Sequence, residues 1–250
     1  MANRPAEIFG YLIDNKTAEA RRACEKHWCP FTERLCDKTS RSIVYPLGIC
    51  TISRGDMFYA ICPHRFEEKG SIEGIPLAAE NIALHYFGEL KNLVTFSEMK
   101  LPNYGTINFV IARHKPFKAE IDDFIPVELR AFSPENTARR FLAQVFDKGI
   151  VYENWGVKSY WVIQEYIYAN LVKRYGLKQE GYSEEHASRF ALQEFSSAGN
   201  KLSLQSTRIV STSVDEIYRS MRSNSGLPNK GQFVAALNEK LKARLSLKFE

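Results

Sequence analysis

The spacing of apolar and polar residues changes along the chain, and these changes predict its elements. Short apolar runs separated by turn-forming residues predict strands at residues 48–52, 57–61, 92–96, 106–112 and 124–132. Apolar residues at helical spacing predict helices at residues 17–24, 76–88, 134–146 and 158–175. In the rest of the chain, the residue pattern predicts a strand at 204–212, a helix at 215–221 and a basic helix from residue 231. Strands with helices wrapped around them indicate an α/β or α+β core.

The composition fits an ordinary globular protein. The chain has 250 residues, 44% of them hydrophobic and 25% charged, which suits one large α/β domain or one domain with a small appendage. No apolar run approaches the roughly 18 residues needed to span a bilayer, and the first residues lack a signal-peptide pattern. We therefore expect a cytoplasmic protein with no membrane partner.

All five cysteines lie in the first quarter of the chain, at Cys24, Cys29, Cys36, Cys50 and Cys62. A cytoplasmic protein of this size rarely relies on disulfides, so a closed thiolate site for zinc or iron is one interpretation. The last four are the natural ligands. The spacing is loose, with no Cys-x-x-Cys pair, and buried free thiols are the other interpretation. His27 or His64 could replace one cysteine.

One predicted strand carries a carboxylate in an apolar setting. Glu128 and Arg130 lie two residues apart on the strand at 124–132, so both project from one face. Phosphodiester-cleaving enzymes that use magnesium need such a carboxylate to hold the ion. The same pattern also describes the polar face of a half-exposed strand. The preceding strand offers Asn108, an amide, in the corresponding apolar run.

Other acids stand near this strand in the sequence. Asp122 and Asp123 precede Glu128, and we expect the two to form a solvated turn. Glu98 lies before the predicted turn at residues 102–105.

These features resemble the NotI-like type II restriction endonucleases, with motifs in the same order and densest over residues 6–175. The motifs are Ala6-Glu7-Ile8-Phe9-Gly10, Cys29-Pro30-Phe31, Cys36-Asp37-Lys38, Gly48-Ile49-Cys50, Ile61-Cys62-Pro63-His64-Arg65, Phe96-Ser97-Glu98-Met99-Lys100, Val127-Glu128-Leu129-Arg130 and the segment containing Gln164. The cysteine order with Cys-Pro at both ends is the more specific part. The Glu-x-Arg strand supports the resemblance only in combination with the other motifs.

The resemblance implies a PD-(D/E)xK nuclease core, a central mixed sheet flanked by helices, over residues 71–250. Residues 1–70 would hold a rubredoxin-like knuckle with iron bound by Cys29, Cys36, Cys50 and Cys62, although zinc fits thiolates equally well. It further implies a cytoplasmic bacterial or archaeal homodimer that cuts palindromic double-stranded DNA with magnesium. Gln164 and Tyr168 resemble a Gln-x-x-x-Tyr helix of related nucleases.

Two residues depart from the family pattern. Asn108 stands where the family has its first metal-binding aspartate. Glu128 stands where the family has its second magnesium ligand. An engineered Asp→Asn change, a nearby acid such as Asp122, or a naturally poor nuclease would each account for the amide. Arg130 takes the helper position but stays protonated, so it cannot act as a general base. It could stabilise the charge of the phosphate or orient water.

Three functions follow as alternatives. The first is a magnesium-dependent restriction endonuclease, and the second is a catalytically impaired DNA-binding protein on the same scaffold. The third is a four-cysteine zinc adaptor without enzymatic activity. The net charge of +5 does not decide between them, because basic residues also serve solubility. The candidates for DNA contact are Arg113, Lys115, Arg139, Lys158 and the lysines of residues 230–248.

Overall fold

The structure of the protein is a computed structural model. It describes residues 3–38, 46–72, 75–131, 137–178, 183–198 and 200–222. The predicted basic helix from residue 231 and the lysines of residues 230–248 lie outside the described residues. So does the start of the helix predicted at 134–146.

The described residues form twelve strands and five α-helices. The strands are β1 (Arg4–Ile8), β2 (Tyr11–Leu12), β3 (Trp28–Cys29), β4 (Arg34–Leu35), β5 (Ile49–Arg54), β6 (Met57–Ala60), β7 (Leu93–Leu101), β8 (Gly105–His114), β9 (Ile121–Arg130), β10 (Ser159–Gln164), β11 (Ser188–Ala198) and β12 (Lys201–Thr212). The helices are α1 (Ala18–Lys26), α2 (Leu77–Phe87), α3 (Thr137–Asn154), α4 (Glu165–Tyr175) and α5 (Val214–Arg222), with a 3-10 helix at Pro63–Glu67.

A six-stranded mixed sheet forms the centre, in the order β12-β11-β10-β9-β8-β7. Strands β7, β8 and β9 are an antiparallel meander, α3 crosses over, and β10 then pairs in parallel with β9. Strand β11 is parallel to β10, and β12 is antiparallel to β11. The expected α/β class, a mixed sheet flanked by helices, is confirmed at this level.

Helices cover both faces of this sheet. On one face, α2 and the N-terminal unit pack on Phe109, Ile111 and Val127. On the other, α3, α4 and α5 pack on residues such as Trp161 and Phe190. The middle strands are therefore buried on both sides, as strands between two helical layers usually are.

The N-terminal residues build a second, four-stranded sheet in the order β2-β1-β5-β6. Arg65, which is only 1% exposed, joins this sheet to the central one. Its guanidinium donates to Glu7 on β1 at 2.9 Å and to the carbonyl of Leu202 on β12 at 2.6 Å. Two of the motifs quoted above, around Glu7 and Arg65, thus meet in one buried ion pair.

The helix predicted over residues 158–175 is wrong in its first third. Residues Ser159–Gln164 are the central strand β10, all six are buried, and α4 begins only at Glu165. A short apolar run that is buried on both faces has no alternation to mark it as a strand. The run therefore merged with the helical pattern that follows it.

Other predicted elements are present in the structure, with bounds that differ by a few residues. The helices at 17–24, 76–88 and 215–221 correspond to α1, α2 and α5, and the strand at 204–212 corresponds to β12. The pair Asp122 and Asp123 lies within β9 and not in a turn, because β9 begins at Ile121. Strand β11 was not predicted at all.

Strand β7 is an outer edge of the central sheet. Glu98, in its middle, has a φ of 54°, a left-handed conformation that is uncommon for residues other than glycine. Phe96 and Met99 are exposed on the same strand. In the helices of the described segments, no stretch is both long and apolar enough to cross a membrane.

Candidate functional site

The buried carboxylate of Glu128 is the centre of the candidate site. Its strand, β9, runs between β8 and β10, and the residue is 3% exposed. Two groups from α3 reach the same oxygen: Lys148 Nζ donates to Oε1 at 2.6 Å and the Tyr152 hydroxyl donates at 3.3 Å. Glu128 therefore faces inward, toward α3.

Burial and its neighbours act in opposite directions on Glu128. Burial raises the pKa of Glu128 above its usual value, whereas the ammonium of Lys148, the Tyr152 hydroxyl and the Asn108 backbone N–H each lower it. Burial also raises the pKa of Tyr152, so its hydroxyl stays a hydrogen-bond donor. The site thus holds one partly compensated negative charge in an apolar setting.

Lys148 is the residue that the sequence reasoning missed. It is 8% exposed, and its ammonium also donates to the Thr106 carbonyl at 2.8 Å. A signal for it exists in the sequence. Phe141, Val145, Lys148 and Tyr152 recur at helical spacing, which puts the lysine in the buried stripe of α3. A lysine in such a stripe must have an acidic or carbonyl partner.

Asn108 lies beside Glu128 on the neighbouring strand. The pairing of β8 with β9 places Phe109 opposite Val127, and the next positions along are Asn108 and Glu128. The Asn108 side-chain oxygen accepts from the Leu129 backbone N–H at 2.9 Å. In return, the Asn108 backbone N–H lies close enough to the Glu128 carboxylate to lower its pKa. The two strands are therefore tied by side chains at this point.

The alternation of β8 breaks at Asn108. Ile107 packs with Tyr152 on the α3 side, whereas Phe109 packs in the cluster on the other face. Residues two apart on a regular strand share a face, so the backbone turns over between them. Asn108 also lines, with Glu98 and Phe109, a cleft of about 410 Å³ between the N-terminal unit and β7. Such irregularities are common beside active sites.

Arg130 projects from the same face as Glu128, as the spacing predicted. Its guanidinium lies over the ring of Phe141 on α3, 5.8 Å from the centroid. Asp122, in contrast, is not available to replace an acid at position 108. It stands six residues from Glu128 along β9, which is about 20 Å, and pairs with Arg113 at 3.3 Å.

Gln164 is not on a helix and has no free amide. Its side-chain oxygen accepts from the Ala60 backbone N–H at 2.7 Å, and its nitrogen donates to the Phe58 carbonyl at 3.0 Å. It therefore attaches β6 of the N-terminal unit to the end of β10. Tyr168 is buried on α4 and packs against Phe190.

The four cysteines proposed as ligands lie in one neighbourhood. Cys29, Cys50 and Cys62 are buried, Cys36 is half-buried, and Cys24 is exposed. Burial raises the pKa of Cys62 to about 11, and the nearby thiols of Cys29 and Cys36 raise it further, while the His64 backbone N–H lowers it. The thiols are therefore close enough to repel one another as thiolates.

Cys50 has a similar environment. Burial raises its pKa, Cys62 and Cys29 raise it further, and the Gly10 backbone N–H lowers it, while the thiol itself donates to the Gly48 carbonyl at 3.4 Å. Backbone N–H groups aimed at sulfur are what a thiolate ligand needs.

Gly10 itself has φ 77°, and a Cβ there would lie 2.3 Å from Pro30 Cγ. This glycine lets the first strands approach the Cys29-Pro30 turn closely.

Among the described residues, no group of three or more His, Cys, Asp or Glu side chains stands in a metal-binding arrangement. The donor types nevertheless suit a soft ion, because three of the four thiols are buried and the fourth is half-buried in an electrostatically coupled group. The histidine alternatives have other contacts. His64 faces Glu67 at 2.6 Å and Asp37 at 3.2 Å, and His27 ends α1 and stacks on Phe9.

Two of the basic residues suggested for DNA contact have acidic partners. Arg113 pairs with Asp122, and Lys115 pairs with Glu120. Burial and the charge of Arg189 lower the pKa of Lys158. Arg139 is exposed on the first turn of α3.

No protein-family model matches the chain, and no curated protein matches it either. What the protein does is therefore inferred from the arrangement around Glu128.

Proposed function

We propose that the chain is a magnesium-dependent endonuclease of the restriction type, which hydrolyses phosphodiester bonds in double-stranded DNA as a homodimer. The observation that carries this proposal is the buried pair of Glu128 and Lys148 at 2.6 Å, beside Asn108 on the neighbouring strand, whose side-chain oxygen accepts from the Leu129 backbone N–H. It supports the proposal because one strand supplies the first polar residue and the next supplies the Glu-x-Arg pair. The PD-(D/E)xK core remains part of the proposal.

Oxygen donors suit magnesium; in this proposal they would be the Glu128 carboxylate and the Asn108 amide, whose oxygen accepts from the Leu129 backbone N–H in the structure. Lys148 and Tyr152 both donate to Oε1, so Oε2 keeps acceptor capacity. A bound magnesium ion would polarise the phosphate and lower the pKa of a water molecule. Lys148 would place a positive charge beside the reacting phosphate, and Arg130 would add a second charge that never dissociates its proton.

A second candidate is a DNA-binding protein that cleaves poorly or not at all. Two observations favour it: position 108 is an amide, and the one carboxylate is already neutralised by Lys148 at 2.6 Å. An amide oxygen lacks the charge that holds a small divalent cation firmly, so magnesium would bind weakly. DNA binding would be retained on this hypothesis.

Plasmid cleavage with the wild type, Asn108→Asp and Glu128→Gln tests both candidates. With magnesium, the endonuclease hypothesis expects cutting by the wild type, at least tenfold faster cutting by Asn108→Asp, and none by Glu128→Gln. Cutting by Asn108→Asp alone would identify the impaired protein. Full activity of Glu128→Gln would contradict both, and end mapping of the products would give the site and the type of cut.

We also propose that Cys29, Cys36, Cys50 and Cys62 hold a structural iron or zinc ion, with iron preferred on the family resemblance. The burial of Cys29, Cys50 and Cys62, and the mutual effect of the thiols on the pKa values of Cys50 and Cys62, support this site. A cysteine-based adaptor without DNA binding is the third hypothesis. It expects no affinity for DNA in the experiments above, and partner binding to residues 25–66.

A further inference from the structure

Buried and half-buried arginines of this protein generally have a carboxylate partner. The pairs are Arg65 with Glu7 at 2.9 Å, Arg113 with Asp122 at 3.3 Å and Arg189 with Glu184 at 2.7 Å. This is the expected behaviour, because a guanidinium removed from water needs an opposite charge.

Arg130 is the exception. It is half-buried on β9, yet across the described segments no carboxylate lies within ion-pair distance of it or of Arg140. Its guanidinium lies instead over the apolar ring of Phe141, 5.8 Å from the centroid. Burial lowers the pKa of Arg130, and the positive charge of Arg140 lowers it further.

Arg130 lies over the ring of Phe141, the residue next to Arg140, and the charge of Arg140, which is itself exposed to solvent, acts on it. Arg140 lies on the first turn of α3, and Arg130 lies near the end of β9. Such a pair is unfavourable by itself, since each guanidinium raises the energy of the other. An anion between them would remove this repulsion. The planar fork of arginine suits phosphate oxygens, and the first turn of a helix also favours negative charge.

We propose that Arg130 and Arg140 form a phosphate clamp, which binds one backbone phosphate of a nucleic acid beside Glu128. The clamp rests on the proposed function for the identity of the phosphate carrier. Arg130 is two residues from Glu128, about 6–7 Å along the strand. Arg140 is eight residues from Lys148, about 12 Å along α3. Arg130 therefore brings the clamp next to the candidate catalytic carboxylate, while Arg140 extends it toward the start of α3, so that the clamp holds the strand in register with Glu128.

Free phosphate provides the first test, independent of nucleic acid. Inorganic phosphate should raise the melting temperature of the wild type by about 2–4 °C more than sodium chloride of equal ionic strength. It should also shift the Arg130 Nε–Hε signal in NMR spectra. Arg140→Gln should lose most of both responses, and Arg130→Gln, which has no such signal, should lose most of the rise in melting temperature. Arg139→Gln removes an exposed charge from the same helical turn and should keep them.

A short labelled duplex provides the second test, with binding measured at several salt concentrations. Arg130→Gln and Arg140→Gln should each weaken binding about tenfold and reduce the salt slope by about 1, because each removes a phosphate contact. Arg130→Lys should restore part of the affinity, since it returns the charge without the fork. Arg139→Gln should change affinity much less.

The outcomes separate the clamp from the proposed function. If the glutamine variants at 130 and 140 respond to phosphate and DNA as Arg139→Gln does, the clamp is overturned. If the wild type ignores DNA but its phosphate response needs both arginines, the clamp stands and the nuclease proposal fails. Without phosphate, the glutamine variants should melt no lower than the wild type, because they relieve repulsion. A lower melting temperature would count against the clamp.

Discussion

Glu128 and Lys148 are two opposite charges taken out of water together, on a strand and on the helix that crosses over it. Burying such a pair gains little net stability, because desolvation offsets the attraction. Removing one partner is different, since the other charge is then left alone in an apolar setting. A buried pair kept next to an irregular strand and two arginines is more readily explained by a site than by stability.

A double-mutant cycle tests this view of the pair. Lys148→Met should destabilise the fold by about 3–5 kcal/mol, and Glu128→Gln/Lys148→Met should recover most of that loss. Unfolding in urea measures both. The exposed Lys173→Met change on α4 is the control and should stay within about 0.5 kcal/mol of the wild type.

The loss of folding stability in Lys148→Met should also depend on pH. Without the ammonium, the raised pKa of Glu128 rises further above its value in the unfolded chain. The folded state then binds the proton more tightly, so its stability falls as pH rises through that pKa. The variant should therefore be closer to the wild type near pH 5 than near pH 8. An equal loss at both pH values would contradict the assigned charge state.

Among the elements, those with a turn or a proline at their ends could be predicted, whereas the apolar run of β10, which continues directly into α4, could not. Strand β8 alternates buried and half-buried residues, and helix α2 begins directly after Pro76, so the sequence predicts both near their observed bounds. Strand β10 has six buried residues in succession, and its sequence predicts a helix. The same distinction applies to the site. Glu128 and Asn108 interrupt apolar strands visibly, whereas Lys148 requires knowing which face of α3 is buried.

Gln164 shows how a wrongly predicted element changes the role that is inferred for a residue. Its position at the end of β10, and not on a helix, makes it a structural link to β6. Gln164→Leu should destabilise the protein by about 1–3 kcal/mol and speed hydrogen exchange of the Ala60 amide, which loses its acceptor. Gln193→Leu removes another buried glutamine, bonded to Ser206 on β12, and should leave Ala60 protected. Unchanged exchange at Ala60 in Gln164→Leu would refute the link.

At the scale of the whole molecule, the N-terminal unit and the central sheet are held together by buried polar contacts. Arg65 reaches Leu202, and Gln164 reaches Ala60 and Phe58. Any metal bound by the cysteines would therefore stabilise more than its own loop. Binding free energy at such a site adds to the free energy of folding.

This coupling predicts the effect of losing the metal. Purified protein should contain about one iron or zinc per chain, and Cys62→Ser should lose it with a lower melting temperature for the whole protein. Cys24→Ser is the matched control, because Cys24 is exposed and should not contribute a ligand. Metal analysis with an absorption spectrum distinguishes iron from zinc. Full metal content in Cys62→Ser would exclude the proposed ligand set.

The left-handed Glu98 has a consequence for how molecules of this protein meet one another. A strand at the border of a sheet presents a ladder of unpaired amides and carbonyls, onto which a strand of another molecule can add. The reversed φ at Glu98 interrupts that ladder in its middle, and the charges of Glu98 and Lys100 flank Met99 there. Open-ended stacking of molecules along this border is therefore disfavoured, despite the exposed Phe96.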